Sequence, residues 1–190
     1  ALPISMLLTL ALATLLNLSA PYDRSFATLN GAHLWLYFDR AKVTRRDIER
    51  IEALPEVTES TGIQHSVTGR VKIGDTRVWV SIRDTPLQPP RVNRLLVQEG
   101  RYLLPRQNEV LASRDLADLY GLAVGDNVGI TRQDGKKITL PVIGLAYNPT
   151  WDTYRNTQPP YLYISESLFR ELYPDSTAWE WSLGLRLADP

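Results

Sequence analysis

Hydrophobic and polar residues change their spacing several times along the chain, and each change marks an element. Leu34-Trp35-Leu36-Tyr37-Phe38 is aromatic and apolar, with Leu34, Leu36 and Phe38 on one side of a period-two pattern, so it predicts a strand. Val43-Thr44-Arg45-Arg46-Asp47-Ile48 predicts a helix start. Thr44 can cap it, Asp47 can complete a capping box, and Val43 can staple to Ile48. Pro55 stops that helix by Leu54. A hairpin follows, with Gly74-Asp75 as its turn. Counting back pairs Val71 with Val78, Gly69 with Val80 and Val67 with Ile82. That register puts the β-branched residues on one face and Arg70, Lys72, Arg77, Ser81 and Arg83 on the other, and a slip of one residue would mix them.

Thr85-Pro86-Leu87-Gln88-Pro89-Pro90 breaks the ladder and is read as a connector. Asn108 to Ala112 predicts a short strand, and Ser113 an N-cap for a helix carrying Leu116, Ala117 and Leu119 that Gly121 terminates. Val128-Gly129-Ile130 starts a second hairpin around Gln133-Asp134-Gly135. A three-residue loop pairs Ile130 with Ile138 and Val128 with Leu140. Tyr147 to Pro160 is polar, aromatic and bounded by prolines, so an exposed loop is expected. Strand Tyr161–Ile164, helix Ser165–Leu172 and strand Trp181–Leu187 complete the pattern. The order is β-α-β-β, an inserted β-rich lobe, then β-α-β. The expected class is α+β, with residues 30–90 and 160–190 in one lobe and 91–159 in the other.

The leader differs from all of this. Residues 1–22 carry no charge, and the 21 Lys+Arg and 21 Asp+Glu all lie from Asp23 onward. Met6 to Leu18 is apolar on nearly every side of a helical wheel, as in a helix buried in a core or a membrane. The end of a transmembrane anchor over residues 1–22 is the working reading. A buried or swapped core helix and an uncleaved signal peptide are the alternatives, although no basic region precedes the run and Leu18-Ser19-Ala20 is not an A-x-A site.

Composition then removes function classes. The 190 residues have zero net charge, so no global field draws in nucleic acid or anionic lipid. The absence of cysteine excludes disulfides, thiolate metal sites and thiol nucleophiles. Gly129 to Lys137 looks like a phosphate-binding P-loop, but its glycines are one residue too far apart and Lys137 stands where Ser or Thr is required. His33 and His65 lie on different strands with no metal-ligand spacing, and both are read as satisfied imidazoles. No serine occurs in G-x-S-x-G, and Asp115 and Asp118 are read as solvent-facing helix carboxylates. No catalytic, cofactor or metal site is expected. What stands out is an aromatic cluster: Tyr147, Trp151, Tyr154 and Arg155 lie in or beside one loop and have the chemistry of interface hot spots. The alternative is that Trp151 is a lid over a small core. Trp35, Trp179 and Trp181 are assigned to packing.

The ordered pieces resemble a known family. They are the uncharged leader, the strand and capped helix ending in Leu54-Pro55-Glu56-Val57, Gly100-Arg101-Tyr102, Asn108 to Ala117, Leu119 to Val128, and the late strand and helix from Tyr161 to Phe169. Together they are similar to the extracytoplasmic domain of FtsX-like ABC transporter permeases, the MacB-type periplasmic core domain. The resemblance implies a first transmembrane helix before the domain, a porter-like lobe (30–90 and 160–190) and a sabre-like lobe (91–159). It also implies location on the periplasmic or extracellular side of a membrane, no catalysis here, and an ABC ATPase subunit or domain reached through the membrane part. An adaptor protein or exported substrate is the implied contact, and homodimerisation is expected only through the resemblance. Swinging of the inserted lobe on Pro86–Pro90 and Pro159–Pro160 would suit mechanical relay. A membrane-anchored ligand-binding sensor domain is the alternative reading, and an enzyme with a β-barrel lobe is a more distant one.

Overall fold

The computed structural model describes residues 23–149 and 159–190. The expected leader helix and the residues Trp151, Tyr154 and Arg155 lie outside this range. The fold is mixed α/β, built on one nine-stranded sheet. Strand β1 (Leu34–Phe38) precedes helix α1 (Arg45–Glu52) and the long hairpin of β2 (Val57–Ile73) and β3 (Thr76–Thr85). Next come β4 (Leu96–Gly100), β5 (Val110–Ser113), α2 (Arg114–Tyr120), β6 (Asn127–Thr131) and β7 (Lys137–Tyr147). The chain closes with β8 (Tyr161–Ser165), α3 (Glu166–Leu172), a 3₁₀ turn (Ser176–Ala178) and β9 (Glu180–Leu187).

Local chemistry explains the elements that the pattern predicts. Thr44 caps α1, and Asp47 returns its carboxylate to the Thr44 N–H at 2.9 Å, the expected capping box. Both hairpins adopt the predicted registers, Val71↔Val78 and Val67↔Ile82 in the first, Ile130↔Ile138 and Val128↔Leu140 in the second. Gly121 ends α2 at φ 65°. Ser113 begins α2 but makes no side-chain cap. Its hydroxyl accepts from the Tyr161 N–H at 3.0 Å and so stitches β5 to β8. Asp115 is buried rather than solvent-facing, and its Oδ1 accepts from the Leu116 N–H at 2.9 Å. Asp118 does face solvent, paired with Arg114 at 2.9 Å.

Two features had no local signal. Strand β2 extends back to Val57, so its first half pairs with β9 while its second half pairs with β3. Strand β4 pairs with β7 through Gly100↔Gly144, where a side chain on Gly144 would sit 2.6 Å from the Arg101 carbonyl. The pairings β2–β3, β3–β8, β8–β5, β5–β7, β7–β6 and β6–β2 return on themselves and close a barrel. Val71, Val80, Ile82, Val110, Val128, Ile130, Leu140 and Leu162 fill its interior, and Leu116 from α2 and Phe169 from α3 join the same cluster. Closure leaves these strands no free edge. The residue ranges expected to form two lobes are therefore joined by strand pairing. Strand β8 lies between β3 and β5, and the tip of β2 is paired to β6. Such pairing ties the residues on either side of the Pro86–Pro90 connector into one sheet.

Beyond the barrel, β2, β9 and β1 continue as an open sheet. Helix α1 lays Ile48 on this extension against Leu183 and Leu185. Among the described residues, no helix is long and apolar enough to cross a membrane.

Candidate functional site: an aromatic cleft at the open end of the sheet

Of the aromatic cluster singled out in the sequence, Tyr147 alone lies among the described residues. It ends β7 opposite Leu96 of β4 and is half-buried. The stretch after it is not the solvated loop start that its polarity implies. Asn148 is 2% exposed, donates to the Tyr163 hydroxyl at 3.3 Å and accepts from the Asn93 side chain at 3.2 Å.

A different aromatic group is gathered by the fold. The end of β1 and the turn leading into β9 border a cleft of about 730 Å³, lined by Tyr37, Phe38, Arg40, Trp179, Glu180 and Trp181. On the other side of the two tryptophans lies a second cleft of about 630 Å³, between α1 and α3 and bordered by Glu49, Glu52, His65, Glu166 and Arg170. Trp179 and Trp181 thus form a wall common to both. Trp179 is anchored: its Nε1 donates to the Tyr173 carbonyl at 2.9 Å, and its ring meets Phe169 edge-on with centroids 5.3 Å apart. The Trp181 Nε1 is buried and has no hydrogen-bond partner among the described residues, while the residue itself lines both clefts. Two arginines stack on the wall, Arg40 at 5.9 Å from the Trp181 ring and Arg170 at 5.4 Å from the Trp179 ring. Tyr37 is 57% exposed and carries the aromatic surface outward. Packing therefore accounts for Trp179, while Trp181 also presents itself to the cleft.

His65 holds this wall from beneath. It faces Trp181 across β2–β9, and its ring lies 4.8 Å from that of Trp179 and 5.6 Å from that of Trp181. Its Nδ1 is 2.6 Å from Asp84 Oδ2, and its backbone N–H donates to Asp84 Oδ1 at 2.8 Å. A carboxylate only accepts, so Nδ1 carries the proton and the ring orientation is fixed. This is where an acid and an imidazole meet as they do in a catalytic triad. Among the described residues no hydroxyl hydrogen-bonds the His65 ring, and the Asp84 contact positions it against the two indoles. His33 is also satisfied, its Nδ1 accepting from the Leu187 N–H at 3.1 Å. Burial, and then Arg186, hold its pKa below 6.5. Among the described residues, no cluster of three or more His, Asp or Glu could hold a metal ion.

The cleft was illegible as a site because its walls come from three separated segments, 37–41, 65 and 177–181, none carrying a motif. The one available signal was Trp179-Glu180-Trp181, whose alternation puts the two indoles on the same side of the chain.

No protein-family model and no curated protein matches this chain. Solved structures give likenesses of chain trace. The periplasmic region of MacB from Actinobacillus actinomycetemcomitans superposes with a TM-score of 0.48 at 13% identity, over 78% of this chain and 66% of that one. The extracellular domain of the ABC-type transporter YknZ from Gram-positive bacteria gives a TM-score of 0.48 at 12% identity, over 82% of each chain.

Proposed function

We propose that this chain is the extracytoplasmic domain of an ABC transporter permease, held at a membrane and working without catalysis of its own. It relays movement driven by a partner ATPase and contacts an exported substrate or envelope protein. The ordered sequence elements that resemble such permeases support the context. The observation that carries the contact role is the aromatic wall of Trp179 and Trp181 with its stacked arginines and outlying Tyr37. Tryptophan, tyrosine and arginine on a firm support are what interface hot spots are made of. The loop residues Trp151, Tyr154 and Arg155, with Tyr147, belong to the same proposal as a second contact element. In this reading the 30–90/160–190 and 91–159 portions, porter-like and sabre-like, act together as a lever, because strand pairing joins them.

The test is purification of the tagged full-length protein from its native membranes. An ABC ATPase subunit or domain should be present, and Tyr37→Ala with Trp181→Ala should keep the ATPase while losing an extracytoplasmic partner. A preparation with no ABC ATPase, in the same chain or bound to it, would sink the reading. One observation favours the alternative of a ligand-binding sensor domain. A cleft of about 730 Å³ with four aromatic residues in its lining is within the size range of small-molecule sites. Saturable quenching of tryptophan fluorescence by a small molecule, abolished by Trp181→Ala, would favour it.

A further inference from the structure

A second feature lies further along β2, on the outer wall of the barrel. Its origin is register. Lys72 of β2 is opposite Arg77 of β3 on one side and Gly129 of β6 on the other, and Gly129 is opposite Thr139 of β7. Partners directly opposite share a face, so Arg77, Lys72, Gly129 and Thr139 form one row across four strands. One step along, Arg70 is opposite Trp79, and Thr131 is opposite Lys137. Arg70, Lys72, Arg77 and Lys137 therefore surround a depression with Gly129 in its floor. The depression is a cavity of about 280 Å³ that Thr131 and Thr139 also line. A Cβ on Gly129 would stand 3.2 Å from the Lys72 Cβ and fill part of it.

In a chain of zero net charge, this concentration of cations is costly as it stands. Like charges directly opposite on a sheet destabilise it, and Lys72 and Arg77 are such a pair. The carboxylates nearby do little to neutralise the four cations. Lys72 reaches the fully exposed Asp75 at 3.8 Å, and Arg70, Arg77 and Lys137 have no ion pair among the described residues. Arg70 lies 5.0 Å from the ring of Trp79, which is 54% exposed beside the site.

We propose that this depression is an anion site for a phosphate-bearing group, held by Arg70, Lys72, Arg77 and Lys137 with the Thr131 and Thr139 hydroxyls as donors. Guanidinium forks and ammonium groups around a small concave floor match the several oxygens of a phosphate ester or diphosphate. The site is independent of the export reading and of the aromatic cleft. The phosphate can be that of a soluble ester or of a lipid headgroup.

The test titrates the isotopically labelled chain with inorganic pyrophosphate, and separately with phosphatidylglycerol and phosphatidylcholine vesicles. Pyrophosphate is expected to shift the Gly129 amide and the Trp79 indole N–H saturably, with affinity falling as salt rises. Co-sedimentation with phosphatidylglycerol but not phosphatidylcholine assigns the source to a headgroup, and saturable pyrophosphate binding without vesicle binding assigns it to a soluble ester. Arg77→Glu should weaken binding at least tenfold and yet raise the denaturation midpoint, since it turns a like-charged pair into an opposite-charged one. Gly129→Ala should weaken binding with every charge in place. The proposal is overturned if neither probe gives a saturable shift at these residues, or if Arg77→Glu binds as the parent does.

Discussion

The barrel and the open end of the sheet share β2 but solve different problems. The barrel closes on itself and fills its interior with aliphatic side chains, so among the described residues its ring of strands has no free edge and its interior is packed. The extension formed by β1 and β9 is covered by one short helix, and its cleft walls are indoles and arginines. The comparison teaches that closure and open aromatic surface are separated here. The barrel supplies a packed body, and in the proposed function the open end supplies the surface that a protein partner desolvates.

Phe169 is where the two regions meet, so its removal should have the largest effect. It is fully buried in the barrel cluster and also touches the rings of Trp179 and Tyr173. Phe169→Ala is expected to cost about 3–5 kcal/mol in denaturant unfolding. It should also shift the tryptophan emission of the cleft. A large loss of stability with unchanged emission would show that the wall does not depend on the barrel.

Next in size is the clamp between β4 and β5. Glu109 is 4% exposed and accepts from Arg101 at 2.8 and 2.6 Å and from the Leu104 N–H at 2.7 Å. Arg101→Met leaves that carboxylate without its cation and is expected to lower the denaturation midpoint. Hydrogen bonds from Arg101, more than the Leu104 N–H, hold the Glu109 pKa below its ordinary 4.5. A depressed carboxylate stabilises the fold above its unfolded pKa and loses that contribution as pH falls through the folded value. The parent should therefore lose stability progressively below about pH 4.5. The Arg101→Met variant should lose less over that interval, which acid titrations of the two would compare.

Tyrosine ionisation sets a third, smaller effect that compares two clusters directly. Tyr173 belongs to the barrel cluster and Tyr161 to the cluster with Tyr163 and Leu111 on the sheet's other side. Burial pushes both phenols up to about 12 from an ordinary 10.0. A raised pKa gives stability that is complete below the unfolded value and lost as pH rises through the folded one, so both clusters should weaken between pH 10 and about 12. Each phenol contributes about 2–3 kcal/mol. Tyr173→Phe and Tyr161→Phe should each remove their share of the alkaline loss, and the two shares should be about equal because both phenols are raised alike.

Much of the fold was legible because its local signals agreed with its packing. The Gly74-Asp75 hairpin sorted β-branched from charged residues in only one register, and that register puts Val71, Val78, Val80 and Ile82 inside the barrel. Closure itself was not legible. It depends on β3 running parallel to β8 and on two residues of β2 meeting β6, contacts between segments far apart in the chain. The same holds for the sites. The cleft and the cationic depression are each assembled from strands that no motif connects. Asp115 and Ser113 depart from their expected roles because burial and cross-strand bonds, not helix periodicity, decide what they do.

Helix α1 gives the smallest and most discriminating perturbation. Thr44 caps it through the Asp47 N–H at 3.3 Å, and Thr44→Ala should cost about 1 kcal/mol. Where that cost appears is the informative part. If the open end unfolds only with the barrel, the loss spreads through the whole domain and quickens no amide selectively. The sheet extension is held by three buried residues, Ile48, Leu183 and Leu185, with partly buried neighbours, whereas the barrel cluster is far larger. Regions with fewer buried apolar contacts open at lower free energy. Hydrogen exchange in Thr44→Ala should therefore quicken about fivefold in α1 and in the β1–β9 pairing, with the amides of β3, β5 and β8 unchanged. Uniform quickening would mean that the domain is one cooperative unit, and that a partner bound at the aromatic cleft stabilises the barrel as much as the strands it touches.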